Sequence, residues 1–318
     1  NNFKSSFYRP KLSYFSGMKS KAGNHFPLIV FDKNKPALFN PILKKRFKNR
    51  PEERARLKWV EYLIHQTDWP KSRVGFEAPV KLQQAKNTLR ADLIIYSNEM
   101  NPKILIECKA ESVKLNSAVA EQAARYNQTV GAPYICLTNG ITDFWYKVEN
   151  HSVSAIEADS DPDFPIKSKK HFTELNRDFN YWRDRGFCAG EFTAPNEETV
   201  QKSITHFWSE ALDWQKTYLD FPSSPFNFGL QQYYRIPVID NEQKLAISFI
   251  GTPARSTELI AILNKKGQNH GILSVNLNRL SEEESVSAKL FQSGSINEFD
   301  AGKHLPFFKY GFSEKLIE

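Results

Sequence analysis

Long apolar runs are missing from this sequence. No stretch approaches the roughly 18 residues that suggest a membrane span, so no membrane partner is expected. A secretory signal pattern of basic start, apolar run and small-residue cleavage site is also absent. Cysteine is scarce: Cys108, Cys136 and Cys188 are odd in number and far apart. They make neither a zinc spacing nor a disulfide framework, which predicts a reducing, cytoplasmic setting. The histidines show no His-x-x-x-His or His/Cys set, so no zinc is expected. Internal repeats and low-complexity segments are lacking. No G-x-x-x-x-G-K-[ST] phosphate loop occurs; Gly251-Thr252-Pro253-Ala254-Arg255-Ser256-Thr257 lacks the second glycine and the lysine.

What is present is an uneven charge. The net charge is +7, but residues 1–50 carry twelve Lys/Arg against the single acid Asp32. Residues 51–150 are close to balanced and the remainder is acidic. A basic arm of this kind either follows a phosphate backbone or forms a solvated surface. With 318 residues, one large or two ordinary domains are expected.

The chain reads as four parts: a basic N-terminal arm and strand over 1–50, an α/β unit over 51–150, a Ser/Asp/Pro/Lys-rich linker over 151–170, and an α+β domain over 171–318. Within the first part, 1–25 reads as irregular, 26–32 as a strand, and 33–48 as a turn and basic connection. A helix is predicted from Pro51, since proline suits a first helical turn and Glu52 and Glu53 suit the positive end of the dipole. Its end is expected before Trp69-Pro70. Strands follow at 74–82, 92–97 and 104–109. A helix over 116–130 comes next, then strands at 133–138 and 143–148. Beyond the linker, a helix is expected over Glu197–Leu219, capped by Asn196. Strands are expected at 231–239, 245–250 and 271–277, while 255–265 is ambiguous between helix and strand. Between His171 and Phe187 aromatics alternate with Arg177, Arg183 and Arg185, a pattern that either stacks bases or is core with solvated charges.

Two apolar strands carry the oddest residues. Asp92 opens one, and the other ends Ile106-Glu107-Cys108-Lys109. A carboxylate and an ammonium at the end of buried strands are costly to desolvate unless something pairs or uses them. The helix before them carries Glu53 and Arg56; the helix after them carries Gln122 and Tyr126, four apart and so neighbours on its surface.

This ordered set resembles the N-terminal nuclease domain of type I restriction endonuclease R subunits, within the PD-(D/E)xK nuclease superfamily. The resemblance covers about residues 51–148. It implies a fold, a restriction-endonuclease-like α/β core with a mixed central sheet flanked by helices. It also implies an activity, Mg²⁺-dependent endonucleolytic hydrolysis of nucleic acid, most simply DNA, with Mn²⁺ as a substitute and restriction or phage defence as the setting. Asp92 and Glu107 would bind the metal with the backbone carbonyl of Cys108, and Glu53 would add a carboxylate. Lys109 would face the scissile phosphate, and Gln122 and Tyr126 would position the backbone or order Lys109. The number of metal ions stays open, as does RNA against DNA. The motif's proline is replaced by Ala91. Without a phosphate loop, the sequence resembles the nuclease module without its motor, and a separate motor or defence-system subunit is the implied partner. The alternative is the same fold binding nucleic acid or a partner with a silent site. Each residue also has a purely structural reading: Asp92 as a turn cap, Glu107 and Lys109 as a sheet-edge ion pair, Glu53 and Arg56 as a helix-start pair, Gln122 as solvated and Tyr126 as core.

Overall fold

A computed structural model of the chain describes residues 17–32, 35–80, 89–150, 152–156, 177–189, 194–208, 214–219, 232–237, 243–252, 256–278 and 286–304. The chain divides into two compact units, Asn1–Pro27 with Ala37–Leu175, and Leu28–Pro36 with Asn176–Glu318. Among the described residues no helix is long and apolar enough to cross a membrane.

Up to Ile156 the elements are β1 (Met18–Lys19), β2 (Leu28–Asp32), β3 (Lys35–Asn40), β4 (Lys45–Lys48), α1 (Pro51–Gln66), β5 (Val74–Val80), β6 (Leu89–Tyr96), β7 (Pro102–Cys108), α2 (Ser117–Val130), β8 (Tyr134–Thr138), β9 (Thr142–Glu149) and β10 (Ser152–Ile156). The main sheet of the first unit runs β1-β9-β8-β7-β6-β5, with β10 also on β9. It is mixed: β7 and β8 are parallel, joined by α2, and the other neighbours are antiparallel. Ala123 on α2 packs with Ile135, Leu137 and Tyr146, while Tyr126 and Val130 pack against Ala91, Ile94 and Leu105. Trp59 of α1 meets Trp145 of β9, ring centroids 6.0 Å apart.

The helix α1 begins at Pro51, with Glu52 and Glu53 in its first turn. It is not a one-sided amphipathic helix. Every residue from Glu53 to Leu63 is buried, Arg54, Arg56, Lys58 and Glu61 included. Buried charges need partners, and several of those partners build the site described below. Helix α2 is capped by Asn116, whose side chain accepts the Val119 N–H at 3.2 Å, and it ends on Gly131 at φ +73°. Just past this end Asn127 clips Ala132 through both its side-chain oxygen and nitrogen, at 2.9 and 2.7 Å.

The N-terminal region departs from the irregular arm predicted for 1–25. Residues 1–16 lie outside the described residues. Met18 and Lys19 pair with β9, and the Lys21 N–H donates to Asp143 Oδ2 at 2.8 Å. The basic connection predicted over 33–48 is a hairpin, with Leu38 opposite Phe47 and Phe39 opposite Arg46. Part of the predicted linker is also structured: Ser152–Ile156 pairs antiparallel with β9, and 157–176 lies outside the described residues.

The β8–β9 turn depends on one glycine. Gly140 sits at φ +78°, and the Asn139 side chain accepts the N–H groups of Ile141 and Thr142. Gly140→Ala is expected to cost about 1–2 kcal/mol, the penalty of a left-handed L-residue, read as an earlier urea midpoint. An unchanged midpoint would show that the turn relaxes freely.

The second unit contains α3 (Phe179–Arg183), α4 (Ala194–Phe207), β11 (Gln215–Leu219), β12 (Gln232–Ile236), β13 (Gln243–Gly251), β14 (Thr257–Lys265), β15 (Gln268–Asn276), β16 (Ser287–Gln292), β17 (Ser295–Asp300) and α5 (Ala301–His304). Strands β11 to β17 form one antiparallel sheet in sequence order. The helix predicted over Glu197–Leu219 is shorter. It starts at Ala194, where Pro195 suits the first turn, and stops at Phe207, while Gln215–Leu219 is a strand paired with β12. The ambiguous stretch 255–265 contributes β14. The aromatic–arginine alternation is core rather than a stacking surface. Phe179, Tyr181, Trp182 and Phe187 are buried, and the Arg185 guanidinium lies 3.7 Å from the Tyr181 ring centroid. His171 and Phe172 lie outside the described residues.

Candidate functional site

Strand register builds the site. In the β5–β6 pair Phe76 faces Leu93 and Ala78 faces Ala91, which sets Glu77 beside Asp92. In the β6–β7 pair Leu93 faces Ile106, so the next position along sets Asp92 beside Glu107. Three acids, Glu77, Asp92 and Glu107, thus stand in a row across three neighbouring strands. Glu77 carries a cost: its φ is +49°, a left-handed backbone inside a strand. Such conformations are expensive for non-glycine residues and collect at functional sites.

Arg56 of α1 reaches this row. Its guanidinium contacts Asp92 Oδ1 at 2.6 Å, Glu53 Oε2 at 3.1 Å and Glu77 Oε1 at 3.2 Å. It also lies 5.2 Å from the centroid of the Phe76 ring. The other Asp92 oxygen accepts the Cys108 N–H at 2.7 Å. Lys109 donates to Glu107 Oε1 at 2.8 Å. Among the described residues, Glu53 Oε1 and Glu107 Oε2 are buried and accept no hydrogen bond.

Burial sets the electrostatics. It pushes the Glu53 carboxyl up to about 7 against the pull of Arg56, with the charges of Glu77 and Asp92 adding to the rise. Glu107 is likewise pushed up to about 7, by burial first and by the Asp92 charge second. Asp92 is raised by burial, although Arg56, the Cys108 N–H and Lys109 all oppose the rise. Burial lowers Lys109, but its bond to Glu107 and the charges of Glu107 and Asp92 outweigh this and hold it above its ordinary value. Lysine is therefore a firm cation here, while the acids beside it are reluctant anions.

A second buried cation braces the surroundings. Lys58 donates to Glu111 Oε1 at 3.0 Å and to the Gly140 carbonyl at 3.2 Å. It ties the residues following Lys109 to the β8–β9 turn.

Residues 51–162 match the family described as type I restriction enzyme R protein N terminus (HSDR_N). This stretch takes in α1 through β10. No curated protein and no solved structure matches the chain. All the predicted site residues fall inside the HSDR_N region. Within it the fold brings Glu53, Asp92, Glu107 and Lys109 into one network around Arg56. Gln122 and Tyr126 stand on α2, where Gln122 Nε2 donates to Tyr126 Oη at 2.9 Å. Their bond is to each other, and among the described residues neither is bonded to Lys109 or to the acids. Cys108 meets Asp92 through its N–H, and its thiol is buried, as is that of Cys136. Among the described residues no group of three or more His, Cys, Asp or Glu side chains is disposed to hold a metal ion.

One residue of this site, Glu77, escaped the sequence reading, and the tertiary role of another, Arg56, did as well. Arg56 reads from sequence as a local partner of Glu53, and its contacts with β5 and β6 are tertiary. Glu77 carried a signal that went unused: acids at 77, 92 and 107 are evenly spaced by fifteen residues, which a regular meander brings into line.

Proposed function

We propose that residues 51–162 are a nucleic-acid-engaging module of the PD-(D/E)xK type, and that the acid row hydrolyses phosphodiester bonds, with DNA as the substrate. The observation that supports this best is Glu107: it lies beside Asp92, is bonded to Lys109, and keeps a buried oxygen that has no donor among the described residues. A buried acceptor left unsatisfied is costly, and a hard cation beside a second carboxylate would relieve it. Magnesium commonly uses one or two carboxylates and keeps several waters, so the pair fits a hydrated ion rather than an all-protein cage. Asp92, Glu107 and the Cys108 carbonyl would hold Mg²⁺ or Mn²⁺, with Glu53 as an outer carboxylate. When bound, the ion would supply Lewis acidity and an activated water.

The chain's own residues do the rest. Lys109, held cationic, offsets charge on the phosphate and orients the water. Glu107 fixes Lys109 at 2.8 Å. Arg56 holds Asp92 and Glu53 in place. Gln122 and Tyr126, bonded to each other on α2, would position the backbone of the substrate. The match to a type I restriction enzyme R protein N terminus supports restriction as the setting and other subunits of such an enzyme as partners.

A second reading is binding of nucleic acid or a partner protein without turnover. Two observations favour it over hydrolysis. Arg56 sits on Asp92 Oδ1 at 2.6 Å, where a cation would bind. The described residues also offer no three-ligand group. Hydrolysis requires Arg56 to share or yield that oxygen.

The two readings separate in one assay. Plasmid, linear duplex, single-stranded DNA and RNA are incubated with Mg²⁺, Mn²⁺ or EDTA, beside Lys109→Ala. Metal-dependent cleavage that Lys109→Ala loses is the expected result. Cleavage unchanged by that substitution would sink the site assignment, and retention of DNA without cleavage in any metal would establish the silent module.

A further inference from the structure

We propose that the β3–β4 hairpin seats the sugar–phosphate backbone of duplex DNA for the site, an inference that rests on the nucleic-acid reading above. Between Asp32 and Glu52 the sequence has no acid, and Lys44, Lys45, Arg46, Lys48 and Arg50 fall within seven residues. All five are exposed. The hairpin is a shaped support rather than a loose tail. The Asn40 side chain accepts the N–H groups of Ile42 and Leu43 at 2.9 and 3.0 Å, which fixes the turn.

Two features of this basic stretch run against local conformational and dipole preference. Lys44 sits at φ +54°, a position where glycine or asparagine is the unstrained choice. Arg50 occupies the N-cap position of α1 and makes no side-chain capping bond. A cation there opposes the positive end of the helix dipole. The Arg50 charge also eases the buried Glu53, but backbone and dipole preferences account for neither choice, whereas a passing polyanion accounts for both.

The hairpin is also close to the chemistry. The Phe47 ring lies 5.4 Å from that of Phe76, which is the ring under the Arg56 guanidinium and the neighbour of Glu77. The basic strand is one aromatic layer from the Arg56–Asp92 pair. A duplex backbone fits better than a single strand. Single-strand binders offer exposed rings for base stacking, while Phe39 and Phe47 are both partly buried and Phe47 is committed to Phe76.

The test is the salt dependence of binding by the full chain. A labelled duplex of about 20 base pairs is titrated in EDTA at KCl from about 50 to 300 mM, since each phosphate contact contributes about 0.9 to the log–log slope. The protein substituted Lys44→Gln, Lys45→Gln, Arg46→Gln and Lys48→Gln is expected to lose at least about tenfold in affinity, and the slope is expected to fall by about 3 to 4. The single change Lys48→Gln is expected to reduce the slope by about 1. A charge-matched control, Lys71→Gln, Arg73→Gln, Lys103→Gln and Lys114→Gln, is expected to change the slope by less than half as much. Thermal melts check that each variant is folded. An unchanged slope in the hairpin variant overturns the surface while leaving the proposed function intact. An equal effect of the control, or tighter binding of single-stranded RNA lost by the same substitutions, also overturns it. Failure to bind any nucleic acid removes both this surface and the reading beneath it.

Discussion

Arg56→Met is expected to lower the unfolding free energy by about 3–5 kcal/mol at pH 8, the cost of stripping one partner from a buried ionic network. Arg56 faces three carboxylates from three elements, Glu53 on α1, Glu77 on β5 and Asp92 on β6. Without it, Glu53 and Asp92 are buried anions lacking their nearest cation. Both are already raised by burial while Arg56 is present, Glu53 to about 7. Removing the guanidinium raises them further, so protonation relieves the variant as pH falls. The destabilisation should accordingly shrink between pH 8 and pH 5 in urea titrations, and Glu53→Gln in the same background should recover part of it. A loss below about 1 kcal/mol at pH 8 would place Arg56 with ordinary exposed ion pairs.

The second large effect belongs to Glu107→Gln, which should move stability and turnover in opposite directions. The Glu107 carboxyl is raised from its ordinary 4.5 to about 7 in the folded chain, chiefly by burial. The folded state therefore prefers the protonated acid. Its contribution is fully present below pH 4.5 and is lost as pH rises through 7. Glutamine cannot ionise and escapes that loss. In EDTA the variant should match the parent near pH 4.5 and exceed it at pH 8 by at most about 3 kcal/mol, reduced by whatever Lys109 forfeits with its partner. Cleavage, by contrast, should fall by about 100- to 1000-fold, the scale seen when one preorganised electrostatic contact to a transition state is removed. A residue kept only for structure would not be more stable when neutralised. A variant less stable at pH 8, or one as active as the parent, would remove Glu107 from the site.

Much of the HSDR_N region is legible in the sequence because its signals are local. Pro51 with Glu52 and Glu53 starts α1, Trp69-Pro70 follows its end, and Asn116 caps α2. The apolar runs 92–97 and 104–109 announce β6 and β7, and an acid or an acid–lysine pair at their ends stands out against them. What sequence cannot display is the third dimension of a charge. Nothing local distinguishes Arg56 from the equally buried Arg54, yet one bridges three elements and the other bonds Asn49. Glu77 looks like any strand acid until register sets it beside Asp92. In the second unit the half-exposed strands β16 and β17 have no clean alternation of apolar and polar residues. Strand β11 follows a helical stretch closely enough to be absorbed into it by pattern alone.

The parallel pairing of β7 with β8 has a consequence for how the chain matures on the ribosome. Adjacent antiparallel strands close over short separations, whereas a parallel pair must wait for its crossover. Glu77, Asp92 and Glu107 can meet as soon as β7 has emerged, because all three lie on one meander. The helix bearing Gln122 and Tyr126 completes its packing only after β8 and β9 have been synthesised, since Ala123 packs on Ile135, Leu137 and Tyr146. A nascent chain whose β7 has cleared the ribosome would already hold its acids in line before α2 has finished packing. The finished site therefore joins an acid row available early in synthesis to a helix whose packing is completed late.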